Sequence, residues 1–179
     1  VKVQKLIHNS AKGDQRAQKQ FFDRYADQLF AVAKRYAVSH ELAEEALFQA
    51  FLKIFEKLPE FEFINETAFY GWLKRIVINQ CLMSRRKELN TLYKLETIDE
   101  ERYDTLFYEE SNHEALIELV NELPDGYRTV FLMNAVDGYA HKEIASMLGI
   151  TENTSRSQFF KARKLLQKKI NKEYGQSGT

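Results

Sequence analysis

From Asp14 onward the apolar residues Ala17, Phe21, Phe22, Tyr25, Leu29, Val32 and Tyr36 recur three or four apart, the spacing that lines one face of an α-helix. This series predicts a long amphipathic helix up to about Ala37. Ser39 can cap a second helix, in which Leu42, Ala43, Ala46, Leu47, Ala50, Phe51, Ile54, Phe55 and Leu58 form a broad apolar stripe until Pro59 stops it. After an irregular stretch, Thr67 can cap a third helix that carries Phe69, Trp72, Leu73, Ile76, Val77 and Leu82 and ends in Ser84-Arg85-Arg86-Lys87. Three helices of this length can close one core. The residues before Asp14 are too few to fold alone, though Val3, Leu6 and Ile7 could dock a first turn.

Beyond residue 112 the helical spacing returns. Ala115, Leu116, Leu119, Val120 and Leu123 share one face, and Pro124 ends that helix and suits the first turn of the next. The next carries Tyr127, Val130, Phe131 and Val136 and stops at Gly138. Then Ile144, Ala145 and Leu148 make a short apolar face, Gly149 supplies the left-handed residue that ends a helix, and Thr151 can cap another. That is a helix-turn-helix. On its second helix Ser155, Phe159, Ala162 and Leu166 should point inward, which turns Asn153, Arg156, Ser157, Phe160, Lys161 and Lys164 outward, with Thr154 beside them. Such a face can enter the major groove of a duplex.

The expected fold is all-α, two helical modules joined by a flexible connection. We place the first module at residues 1–87, an acidic linker at 88–112, the second module at 113–174 and a tail at 175–179. The charge distribution supports this division. The chain has 26 basic and 26 acidic residues and no net charge, so composition alone does not suggest a nucleic-acid partner. Yet residues 96–125 hold eleven acids against one base, Arg102, while Lys74, Arg75, Arg85, Arg86, Lys87 and Lys94 precede them and the cations of the last helix come after. Two basic modules flank an acidic joint.

Other chemistry is scarce. Cys81 is the only cysteine, so no intramolecular disulfide can form, and four dispersed histidines with one thiol do not make a metal site. Cys81 is read as core filler. The sequence has no Gly-rich phosphate loop, no zinc-protease motif and no nucleophile elbow, so neither an enzyme nor a cofactor is expected. No apolar run approaches the roughly 20 residues needed to cross a bilayer. With no signal-peptide core near the start, a cytoplasmic protein without membrane insertion is expected.

Two stretches, in order, resemble a known family. Glu122-Leu-Pro-Asp-Gly-Tyr-Arg-Thr-Val-Phe, then Gly138 to Thr151, then Lys161-Ala-Arg-Lys-Leu-Leu resemble region 4 of bacterial extracytoplasmic-function sigma factors. Ala43 to Phe55 and Trp72-Leu-Lys-Arg-Ile-Val-Ile-Asn resemble region 2 of the same family. The resemblance implies a subunit that confers promoter specificity on core RNA polymerase. Region 2 would grip the polymerase and the melted −10 element of promoter DNA, and region 4 would read the −35 duplex. An anti-sigma factor that holds the protein inactive is the expected regulator.

Carried over position by position, the resemblance puts Asn79 near an extruded −10 base, with Lys74, Arg75, Arg85 and Arg86 along the strand's phosphates. It puts Arg156, Ser157, Phe160 and Lys161 in the −35 groove and Glu45, Phe48 and Gln49 on the core polymerase, and Glu44 joins these by its place on the outer face of the second helix. Three departures stand out. Lys161 stands where Arg is usual, which leaves a point charge in place of a bidentate fork. Glu45, Phe48 and Gln49 stand where the family commonly has Asp, Gln and Glu, and Met83 replaces a frequent Asp. Two other readings compete: a dimeric helix-turn-helix regulator with a helical effector module, and an adaptor that keeps only the partner-binding surface.

Overall fold

The structure is a computed structural model and describes residues 3–95 and 118–174. Among the described residues every regular element is a helix. Of the expected linker at 88–112, residues 88–95 are helical instead, while 96–112, the positions Ala115 and Leu116 and the tail from 175 lie outside the described residues. The chain divides into two compact units, Val1–Arg85 and Arg86–Thr179.

The first unit opens with α1 (Val3–Ala11), which buries Val3, Leu6, Ile7 and Ser10. Its 9 residues make a whole helix rather than the single docked turn expected. A helix this short gains its stability from packing, here on α2 (Gln15–Tyr36). The Asp14 carboxylate accepts from the Ala17 amide at 2.9 Å and so caps α2. Ser39 caps α3 (His40–Lys57) in the same way, accepting from Leu42 N at 3.2 Å. A 3-10 turn over Leu58–Glu60, with Pro59 inside it, ends α3.

The fourth helix, α4 (Glu66–Leu95), departs from expectation at both ends. Asn65, not Thr67, caps it, its Oδ1 accepting from Ala68 N at 2.8 Å. The amide of Asn is at least as good a cap as a Thr hydroxyl, and Thr67 falls inside the first turn. At the other end the helix continues eight residues past Lys87, because residues 88–95 contain neither Gly nor Pro and Leu89, buried, extends the apolar series two turns beyond Leu82.

The core of this unit is aromatic. Phe21 is wholly buried, and its ring meets Tyr25 at 4.9 Å, Phe55 at 5.5 Å, Phe69 at 5.9 Å and Phe51 at 6.4 Å between centroids, the last three edge to face. Phe22, one residue on, is 44% exposed although its position looked apolar, and it only leans on Phe51. Adjacent helical residues point about 100° apart, so both cannot face one core. Cys81 fills space as expected, its Sγ 3.8 Å from the Ala33 carbonyl, and burial pushes the thiol up to about 11.

The second unit contains helical residues 118–121, α5 (Asp125–Phe131), α6 (His141–Leu148) and α7 (Glu152–Tyr174). Leu119, Val120 and Leu123 are buried as expected, and Lys169 of α7 pairs with Glu122. Between α5 and α6 the chain forms a π-turn, Leu132–Val136, closed by Asp137 N donating to the Leu132 carbonyl at 3.0 Å. Widening the turn by one residue rotates the positions after it, which buries Leu132 and Met133 and leaves Val136 49% exposed where the spacing had put it inside. Gly149, at φ +70°, is the left-handed residue between α6 and α7, and Thr151 caps α7 through Thr154 N at 3.0 Å.

Phe21→Ala removes the ring on which three helices converge. It is expected to lower the stability of the first unit by about 3–5 kcal/mol, read from urea unfolding followed by circular dichroism.

Candidate nucleic-acid interface

Helix α4 is apolar on most of its circumference. Phe69, Leu73, Ile76, Val77, Ile78, Cys81 and Leu82 are all buried. Toward solvent it leaves, spaced by threes and fours, Trp72, Arg75, Asn79 and Met83, with Tyr70, Gly71, Lys74 and Gln80 half-buried to either side. Arg75 and Arg86 are exposed, Asn79 is half-buried, and Met83 is 67% exposed. Trp72 is half-buried against Phe61 and Phe69, with ring centroids at 4.6 and 5.8 Å. Lys74 lies off this series, with its ammonium 6.0 Å from the centre of the Tyr70 ring.

Arg85 does not belong to the accessible face. It is 4% exposed, and Nη1 donates to the Tyr36 carbonyl at 2.8 Å. Tyr36 is the last residue of α2, so the guanidinium satisfies a carbonyl that the helix itself leaves over, at the end where the backbone dipoles favour a cation. The position ten residues after Arg75 turns Arg85 toward the core, while Arg86 next to it turns out. A phosphate-tracking role expected from its charge is therefore replaced by a capping one.

On α3, Glu45, Phe48, Gln49 and Leu52 share an exposed face, with Phe48 61% and Leu52 52% exposed. Glu44 sits at its flank, 3.3 Å from His40 Nε2. A shallow groove of about 260 Å³ runs beside this face, lined by Leu42, Glu45, Ala46 and Gln49 of α3 and by Gln80 and Met83 of α4. Three of the positions that depart from the family pattern, Glu45, Gln49 and Met83, thus border one cavity. Spacing along α3 could not show that, because Met83 is on another helix.

In the second unit Ser155, Ala162 and Leu166 have no exposed surface, and α7 packs by this face on α5 and α6. Phe159, half-buried, stacks on Phe131 at 5.8 Å and meets His141 edge-on at 5.5 Å. The buried Ser155 hydroxyl lies 2.9 Å from His141 Nδ1, which ties the start of α6 to the first turns of α7. Neither partner of this bond was assigned a role from sequence; a hydroxyl at an inward helical position was the available signal. Burial, and then the Arg156 charge, push the His141 pKa below its ordinary value of 6.5.

The outward face is largely as expected. Asn153, Arg156 and Lys164 are exposed, and Thr154, Phe160 and Lys161 are half-buried. Lys164 lies 6.0 Å from the centre of the Phe160 ring. Ser157 differs, at 6% exposed. Its short side chain has the larger Phe160 and Lys161 as neighbours three and four residues on, so it sits below the surface that they make. Gln158, also buried, was not anticipated. Among the described residues no helix is long and apolar enough to cross a membrane, and no group of three His, Cys, Asp or Glu could hold a metal ion.

Two family models match the chain, the one described as Sigma-70 region 2 over residues 21–91 and the one described as Sigma-70, region 4 over residues 113–166. The chain is similar to the ECF RNA polymerase sigma-E factor of Escherichia coli K12, 25% identical over 181 residues and covering 93% of both proteins. It is similar to the sigma-E factor of Haemophilus influenzae at the same identity, with 93% of this chain and 94% of that one covered. Among solved structures, it resembles the sigma factor RpoE of Bartonella quintana, crystallised with the anti-sigma factor NepR, at a TM-score of 0.52 and 21% identity over 86% of this chain and 96% of that one.

Arg85→Met is expected to cost about 1–3 kcal/mol in urea unfolding by removing a charged donor from the end of α2, with Arg85→Lys losing less. His141 titrates with the opposite sign to a salt-bridged histidine. Because the folded state favours the neutral ring, its contribution is complete above pH 6.5 and is lost as pH falls below that value. The melting temperature of the second unit should therefore drop more steeply between about pH 7 and pH 5 in the wild type than in His141→Gln, measured by scanning calorimetry.

Proposed function

The chain belongs to the sigma-70 family, as an extracytoplasmic-function sigma factor that binds core RNA polymerase and directs promoter-specific initiation, and on that basis we propose how its residues share the work. Asn79 bonds the edge of an extruded −10 base, and Arg75 and Arg86, with Lys74 beside them, track the phosphates of the melted strand. Arg156, Phe160 and Lys161 meet the −35 major groove, with Asn153 and Thr154 at its entrance and Lys164 toward a phosphate. Ser157 contributes once its larger neighbours have moved onto the DNA.

The observation that carries this reading is the outer side of α4. On the outer side of a helix whose inner face is buried, the Asn79 amide follows the Arg75 guanidinium by one turn with Lys74 beside them, an arrangement that suits a single strand. A dimeric repressor has no use for such a face on its effector module. Core polymerase is assigned to α3, where Glu45, Phe48 and Gln49 combine an acidic and an apolar contact and Glu44 borders them. An anti-sigma factor, the class of partner that the Bartonella quintana relative is bound to, completes the set. The protein acts by binding rather than catalysis, in the cytoplasm, and needs no cofactor.

Run-off transcription with bacterial core polymerase, with and without this protein, tests the function. The added protein should create promoter-dependent transcripts. Asn79→Ala should still co-elute with core polymerase but reduce permanganate reactivity of unpaired −10 thymines about tenfold, the result of losing about 1–2 kcal/mol of hydrogen bonding to an extruded base. Normal reactivity in that variant would remove Asn79 from the melted strand.

A further inference from the structure

One side chain on the outward side of α7 has no part in the DNA contacts proposed for its neighbours. Glu152 is the first residue of α7 and lies one turn before Arg156. Its Oε1 accepts from Arg156 Nη2 at 2.5 Å, with the side chains 42% and 50% exposed. An exposed pair of this kind does little for folding. Its position beside a groove-facing guanidinium gives it a different consequence.

A guanidinium has five N–H donors in one plane, so a carboxylate on one Nη leaves donors on the other edge for a second acceptor. A guanine edge offers two neutral acceptors, O6 and N7. A DNA phosphate offers acceptors too, but with a negative charge that Glu152 repels and that would have to displace it. The two ligands that compete for Arg156 therefore differ in how they tolerate Glu152. In a groove emptied of much of its water the repulsion is stronger than in the free protein.

We infer that Glu152 is a specificity-determining residue, which orients Arg156 toward a base edge and discourages it from settling on phosphate. Glu152 itself reads no phosphate. Overall affinity for duplex DNA is lower with it, and discrimination at the base pair under Arg156 is higher. This inference rests on the assignment of α7 to the −35 duplex.

The test uses holoenzyme assembled from core polymerase and the full chain, binding promoter fragments varied at each −35 base pair at two salt concentrations. Glu152→Ala should bind unrelated duplex about threefold to tenfold more tightly, steepen the salt slope by about one phosphate's worth and reduce discrimination at one base pair about tenfold. Glu152→Asp, which restores the charge, should recover the wild-type salt slope. In an Arg156→Ala background, Glu152→Ala should leave discrimination unchanged. Unaltered discrimination in Glu152→Ala, alongside lost discrimination in Arg156→Ala, would overturn the inference and leave the −35 assignment standing. Equal strengthening on every sequence, with no flattening at any base pair, would reduce Glu152 to a general repulsive charge and also overturn it. No discrimination at −35 by the wild type would refute the assignment of α7 and this inference with it.

Discussion

Burial of Ser155, Ala162 and Leu166 sets the rotation of α7, and that rotation decides which side chains the second unit can offer a partner. A helix shows only the face its packing leaves over. Two of the three buried residues are small, so α7 can lie close to α5 and α6. One of them is also polar. A buried hydroxyl without a partner costs about 1–3 kcal/mol, and Ser155 is satisfied by His141 at 2.9 Å. That bond couples the two helices of the motif, and burial, then the nearby Arg156 charge, lower the His141 pKa. A charged ring there would oppose the Arg156 guanidinium.

The first unit solves the same problem with the opposite balance. Helix α4 buries Phe69, Leu73, Ile76, Val77, Ile78, Cys81 and Leu82, so only its outer side, with Arg75 and Met83 exposed and Lys74, Asn79 and Gln80 half-buried, is left to solvent. The same helix is therefore both the wall of the aromatic core and the scaffold for Arg75 and Asn79. That double role leaves few positions of the helix free of packing. It also means that a substitution a residue or two off that side acts on folding. Arg75 and Arg86 face out, whereas Arg85, with the same chemistry, ends α2.

The groove between α3 and α4 joins residues that are far apart in the chain. Glu45 and Gln49 meet Gln80 and Met83 around it, beside the exposed Phe48 and Leu52. Replacement of acidic and amide groups by Phe48 and Met83 makes this side of the unit more apolar than the family pattern implies.

Local chemistry was enough to read α2, α3 and the helix-turn-helix. Caps at Asp14, Ser39 and Thr151, the left-handed Gly149 and the spacing of buried residues are all properties of a few neighbouring positions, and the sequence displays them directly. The outward placing of Arg156 and Lys164 came from the same periodicity. Tertiary structure decided the rest. Helix α1 exists because α2 gives it a surface, and α4 runs on past Lys87 with Leu89 buried. The π-turn changed the face on which Val136 falls, and a periodic pattern cannot announce an insertion in its own period. Arg85 and the Ser155–His141 bond depend on contacts 49 and 14 residues apart in the chain. Sequence spacing reports what shares a face within one helix; which helix end or which histidine that face will meet is determined only when the helices pack.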